Sequence, residues 1–128
     1  MWSFLDYLKR KWGSNMKIAK IISIMGVIAM TAVIINGFIN GNFSEDGAAL
    51  LANPWGVVSL VDLYVGFALF SLWIAFRETN LVLAIVWIIL MMVLGFFTGA
   101  LYVLIALYKS NGDWAFFFLG GRKAKYVR

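Results

Sequence analysis

The stretch NPWGVVSLVDLYVGFALFSLWIAFRE, residues 53–78, decides how the chain is read. Its apolar part, 55–76, is long enough to cross a bilayer, whose hydrocarbon core needs about 20 helical residues. Yet it carries a carboxylate, Asp62, well inside that run. A charge there costs about 2.5–3.5 kcal/mol on insertion scales, so an intramembrane acid normally faces protein or a water-filled cavity and has a partner.

Two more runs of the same kind, 18–39 and 81–108, flank it. With 63% hydrophobic and 13% charged residues in 128, the composition lies outside the soluble globular range. The sequence therefore predicts a single all-α integral membrane domain over 1–128, with three transmembrane helices at about 18–39, 55–76 and 81–108. Arg77 and Glu78 end the second, and the Thr79-Asn80 turn leaves almost no loop before the third, which predicts a tight antiparallel hairpin. The first span has a long charged leader and no small-x-small cleavage pattern close behind it, so it is expected to be retained.

The termini have their own character. In MWSFLDYLKRKWGSN, residues 1–15, Phe4, Leu5, Leu8 and Trp12 share one helical face, as in an interfacial amphipathic helix. A frayed basic leader is the alternative. The segment 109–128 is aromatic and basic; DWAFFFLGG within it is too short to span and suits an interface or a contact with another protein.

Charge gives a conflicting orientation. Lys9, Arg10, Lys11, Lys17 and Lys20 precede or open the first span, and the loop after it holds Glu45 and Asp46 but no cation. The positive-inside rule then makes the N-terminus cytoplasmic. Three crossings, however, put Lys109, Arg122, Lys123, Lys125 and Arg128 outside, five cations against the six that remain inside with Arg77.

The chain has no Cys and no His, which removes thiolate nucleophiles, imidazole bases and the usual ligands of zinc, haem and iron-sulfur centres. Met in apolar helices is packing material. No catalytic, cofactor-binding or metal-binding residue is assigned, and the net charge of +5 is read as membrane topology rather than nucleic-acid binding.

The polar residues within the spans are the ones to explain. Asp62 is expected to face another helix, with Thr98 and Tyr102 on helix three, or Thr31 or Asn36 on helix one, as neutral hydrogen-bond donors. Gly95 and Gly99 form a GxxxG spacing that lets helix backbones approach closely. Two roles fit Asp62: a hydrogen-bonded staple between helices, or a site that binds a proton or cation during transport. Asp62 and Glu78, 16 residues apart on one helix, stand about 24 Å apart and cannot act as a catalytic pair. Trp55, Trp73, Arg77, Glu78, Trp114, Phe116, Phe117 and Phe118 are the anchor or interface candidates.

The series Pro54-Trp55-Gly56, Asp62-Leu63-Tyr64, Gly66-Phe67, Ser71, Trp73 and Arg77-Glu78, followed by Trp87 and Leu101-Tyr102, resembles a small integral-membrane family of unknown function found in bacteria and plants. The resemblance covers about 53–108. It implies that Pro54, Trp55, Asp62, Tyr64, Trp73 and Glu78 are the positions of interest, and it supplies no reaction.

Three functions are therefore expected to compete. The first is a non-catalytic accessory or assembly subunit of a larger membrane complex, in contact with lipids and other integral-membrane subunits, in a bacterial inner membrane. The second is a small homo-oligomeric transporter or channel with Asp62 as the coupling acid. The third is a binder of lipid, quinone or carotenoid.

Overall fold

The computed structural model describes Tyr7 and residues 16–126. The interfacial helix expected over 1–15 lies almost wholly outside the described residues. From Lys17 onward the described residues are helical apart from short connections: α1 (Lys17–Asn40), α2 (Phe43–Ala52), α3 (Pro54–Arg77), α4 (Leu81–Leu94), α5 (Phe96–Ser110), α6 (Trp114–Leu119), a 3-10 turn (Gly120–Arg122) and α7 (Lys123–Tyr126).

Local sequence sets most of these boundaries. Asn53 accepts from the backbone amides of Trp55 and Gly56, and Pro54 fills the first helical position, where its missing N–H costs nothing. Asn80 caps α4 through Val82 and Leu83 in the same way, and Asp113 caps α6 through Ala115 and Phe116. Glu45 and Asp46 lie in the first turn of α2, the favourable place for negative charge.

Helices α1 and α3 are long and apolar enough to cross a membrane. The third run is not one helix. At Gly95, with φ 65° and ψ −141°, the chain leaves α4 and enters α5 in a new direction. The Gly95 amide closes α4 on the Met91 carbonyl, while its own carbonyl accepts from the amides of Thr98 and Gly99 and opens α5.

The reversal is measured by contacts that a straight helix forbids. Thr98 Oγ1 donates to the Leu90 carbonyl at 3.0 Å, although residues eight apart in one helix stand about 12 Å apart. The rings of Trp87 and Tyr102 lie 5.0 Å apart rather than about 22 Å. Helices α4 and α5 thus form a second hairpin whose tip is Gly95, and the expectation of a continuous helix over 81–108 is corrected.

This hairpin stands between the two long helices. α3 packs along α4, and α1 packs antiparallel along α5, where a Cβ on Gly26 would lie 3.2 Å from that of Ala100. α1 and α3 make no more than marginal contact with each other. The tip, seated on Phe67 and close to Gly66, reaches only partway along them. Tyr64 still reaches the hairpin, its hydroxyl 3.5 Å from the Met92 carbonyl; beyond it, about ten residues of each long helix, 31–40 and 54–63, extend with no hairpin between them.

One end of the molecule therefore gathers every Lys and Arg among the described residues. Lys17 and Lys20 open α1, Lys20 lying over the Tyr108 ring; Arg77 ends α3; Lys109 ends α5; and Arg122, Lys123 and Lys125 follow. The far end carries Glu45 and Asp46.

Candidate functional site

Five of the resemblance positions, Trp73, Arg77, Glu78, Trp87 and Tyr102, converge at the basic end. Arg77 is the last residue of α3 and only 6% exposed, so its guanidinium must find acceptors inside the protein. Its Nε donates to the Phe117 carbonyl at 2.8 Å, and Nη1 lies 3.2 Å from the Tyr102 hydroxyl and 3.4 Å from Glu78 Oε1. Tyr102 is buried and donates its phenolic proton to Glu78 Oε1 at 2.8 Å. The three side chains close a triangle in which each polar group meets the other two.

Aromatic rings wall this triangle. Trp73, one turn before Arg77 on α3, meets the Tyr102 ring edge-on at 5.6 Å, and Trp87 does so from α4. The Trp73 indole N–H donates to the Phe118 carbonyl at 3.0 Å. Arg77 also sits 5.6 Å and 5.8 Å from the ring centroids of Tyr102 and Phe116, within cation–π range.

The C-terminal segment forms the lid of this cluster. Trp114, Phe117 and Leu119 are buried, with Phe116 and Phe118 half-buried. Trp114 and Phe117 join Met16, Ala106 and Leu107 in the main apolar cluster. Gly120, at φ 57°, lies so close to Arg77 that an added Cβ would meet the Arg77 Cγ and carbonyl oxygen below 3 Å. Arg122 Nε reaches the Phe76 carbonyl at 2.5 Å. Asp113 pairs with Lys123. Partial burial works to raise its carboxyl, but the Lys123 ammonium and the amides of Phe116 and Ala115 outweigh that and hold it below the usual carboxylate range.

Several expected contacts differ. Asp62 is exposed and makes no hydrogen bond among the described residues, so its predicted pairing with Thr98 and Tyr102 is corrected. Thr98 is spent within the α4–α5 hairpin and Tyr102 on Glu78. The reason is the fold-back at Gly95, which carries Tyr102 down to the Arg77 level. Gly95 and Gly99 do not share a helix face either: Gly95 is the tip, and Gly99 is buried against Phe96 and Met91. Trp55 is 78% exposed at the far end.

Sequence reasoning missed the Arg77–Glu78–Tyr102 triangle because it assigned Tyr102 to Asp62 and treated the charge pair as an interfacial anchor. A signal was present in the third run, which at 28 residues gives about 42 Å of helix for a core of about 30 Å. Ser71, on the core face of α3, is buried with an unpartnered hydroxyl. Among the described residues no group of His, Cys, Asp and Glu is arranged to hold a metal ion.

The arrangement is a largely buried ion pair that is hydrogen-bonded within its own chain and ties the end of α3 to α5 and to the C-terminal segment. No curated protein and no solved structure matches the chain. The family model described as "Protein of unknown function (DUF1475)" matches residues 4–121, from the N-terminal leader to the turn that covers Arg77, and the chain belongs to that family of unknown function.

Proposed function

We propose that this protein is a non-catalytic accessory or assembly subunit of a larger complex in a bacterial inner membrane, with its basic end in the cytoplasm. The observation that carries the reading is the outward display of apolar surface on two helices that do not pack on each other. Ile28, Val33, Ile35, Phe38 and Ile39 of α1 and Val58, Val61, Val65 and Leu69 of α3 are all exposed. Such helices are satisfied by lipid on some sides and by protein on others.

The same reading includes a topology. The chain crosses the bilayer twice, through α1 and α3, and α4–α5 is a re-entrant hairpin that enters and leaves from the cytoplasmic side. Non-helical backbone at that depth is tolerated when protein covers it, as Phe67 covers Gly95. This removes the charge conflict, because the cations before and after the spans then fall on one side.

Single-cysteine labelling tests the topology in a chain that has no native Cys. Thr79→Cys and Ala124→Cys should label from the same side, and Gly47→Cys from the opposite one. Three crossings would separate Thr79→Cys from Ala124→Cys. Affinity purification from native membranes in mild detergent tests the accessory role. A fixed stoichiometric set of other subunits is expected; a particle of this chain alone would overturn it.

One observation favours the transporter or channel reading as second. The hairpin tip starts α5 inside the span, one helical turn of α3 from Asp62, and interrupted helices of this kind build midplane ion sites. Loss of transport in Asp62→Asn with unchanged assembly would favour it.

A further inference from the structure

Asp62 is an ionisable group well inside a long apolar helix that the internal packing leaves without a partner among the described residues. It is the ninth residue of α3, about 12 Å from the far end of the helix and about 22 Å from Arg77. In a helix that spans the bilayer this depth is a few ångströms from the midplane. The other polar group nearby on this face, the Ser59 hydroxyl, is already bonded to the Trp55 carbonyl.

The residues around Asp62 are ordered. Val58, Asp62, Val65, Leu69 and Leu72 follow one another at steps of four, three, four and three, and all five are exposed. That is the a/d spacing of a coiled-coil seam, in which apolar knobs set the packing and a single polar a position sets register and partner. The buried face of α3 (Phe67, Ser71, Ile74 and Arg77) lies elsewhere on the helix and is taken up by the hairpin and the tail.

We infer that the exposed stripe Val58-Asp62-Val65-Leu69-Leu72 is a docking seam for a transmembrane helix of another subunit that carries a Lys or Arg near mid-membrane. The inference rests on the accessory-subunit reading above. A cation is the complementary partner because it satisfies the ionised carboxylate without requiring protonation, and because the apolar stripe offers the incoming helix one acceptor alone. A second copy of this chain does not fit. Copies inserted with the same orientation bring Asp62 opposite Asp62, and every Lys and Arg among the described residues lies at the basic end.

The test uses a defined probe. Leu69→Cys, on the seam, and Ala75→Cys, exposed about 120° around α3 from Leu69, are each co-expressed with an oligoleucine transmembrane helix that bears one cysteine and a central Lys, or Leu in its place. The Lys probe should cross-link to Leu69→Cys about tenfold more than the Leu probe, a gap of about 1.4 kcal/mol. It should leave Ala75→Cys at background, and should fall to the Leu level when Asp62→Asn is added. Equal cross-linking by both probes, indifference to Asp62→Asn, or a Leu69→Cys homodimer that forms without a probe would each overturn the seam.

In native membranes, Asp62→Asn should lose a subunit that Asp62→Glu keeps, and that subunit should carry a basic residue within a span. A lost subunit with no such residue, or a complete complex in Asp62→Asn, would sink the seam and leave the accessory role standing. Absence of any complex around the wild-type chain would sink the accessory role itself.

Discussion

The basic end and the far half of this molecule face the same problem and answer it differently. At the basic end a buried Arg77 is met by Glu78, Tyr102 and the Phe117 carbonyl, so its charge is satisfied within the chain. In the far half Asp62 stands on an exposed, apolar helix face with no internal bond. Charge in an apolar setting is tolerated only with a partner. The contrast teaches that charge is satisfied within the chain at one end and is left on the outer surface at the other.

The strongest way to break the contrast is to remove the charge that the basic end is built around. Arg77→Met leaves Glu78 without its counter-charge, with Tyr102 as its remaining donor, and takes the guanidinium from the Phe117 carbonyl; loss of one member of a buried pair costs about 3–5 kcal/mol. Thermal unfolding in detergent should shift strongly downward, with the tail after Ser110 becoming open to protease. An unchanged melting temperature would mean that the triangle is ornamental.

Next in size is the hairpin tip. Gly95→Val places a branched side chain at φ 65° and 2.9 Å from the Phe67 ring; the backbone conformation alone costs about 1–3 kcal/mol. Lower stability is expected, together with loss of any cross-link between cysteines placed at 87 and 102. A retained cross-link would show that the reversal does not need glycine.

Tyr102→Phe keeps the ring contacts with Trp73 and Trp87 and deletes the hydroxyl that donates to Glu78. A hydrogen bond to a charged group is worth about 1.5–3 kcal/mol, so a smaller downward shift than in Arg77→Met should appear in the same melt.

Acid should act through Asp113. Its folded carboxyl is held low, so its contribution is fully present above the unfolded value of about 3.9 and is lost as pH falls through the folded value. Tail protection against protease should therefore hold at neutral pH and weaken only in strong acid. Asp113→Asn should flatten that dependence at a cost of about 1 kcal/mol or less, since the pair with Lys123 is partly exposed.

The smallest effect sharpens the comparison most. Asp62→Asn touches nothing inside the chain, so the purified subunit should melt within about 0.5 kcal/mol of wild type. A large loss would place an internal partner on Asp62 and erase the difference between the two ends.

Much of the architecture was legible in the sequence. Apolar runs marked α1 and α3, and the short Thr79-Asn80 link marked the first hairpin. These are local signals, read from neighbouring residues alone. The second hairpin was not legible in the same way, because Gly95 within GFFTG fits a small-residue packing motif as well as a chain reversal. Its clues were indirect: a third run longer than a bilayer needs, and cations that three crossings divide almost equally.

The candidate site shows the same limit. The residues of the resemblance, Trp73, Arg77, Glu78, Trp87 and Tyr102, were named from sequence, but their meeting point was not. Tyr102 was assigned to Asp62 by counting along a straight helix. Once the chain turns at Gly95, the same count places it beside Arg77.

By itself the sequence determined an all-helical, strongly apolar chain without the side chains of thiol or imidazole chemistry, with one acid inside an apolar helix. Helix type, caps and composition depend on the residues and their near neighbours, so one dimension is enough. Only the tertiary structure decided that the third run is two helices and that the tail closes over Arg77. It also decided that Asp62 belongs to the outer surface. Those outcomes depend on the direction the backbone takes through a single glycine, and a change of direction at one residue alters which distant side chains can meet.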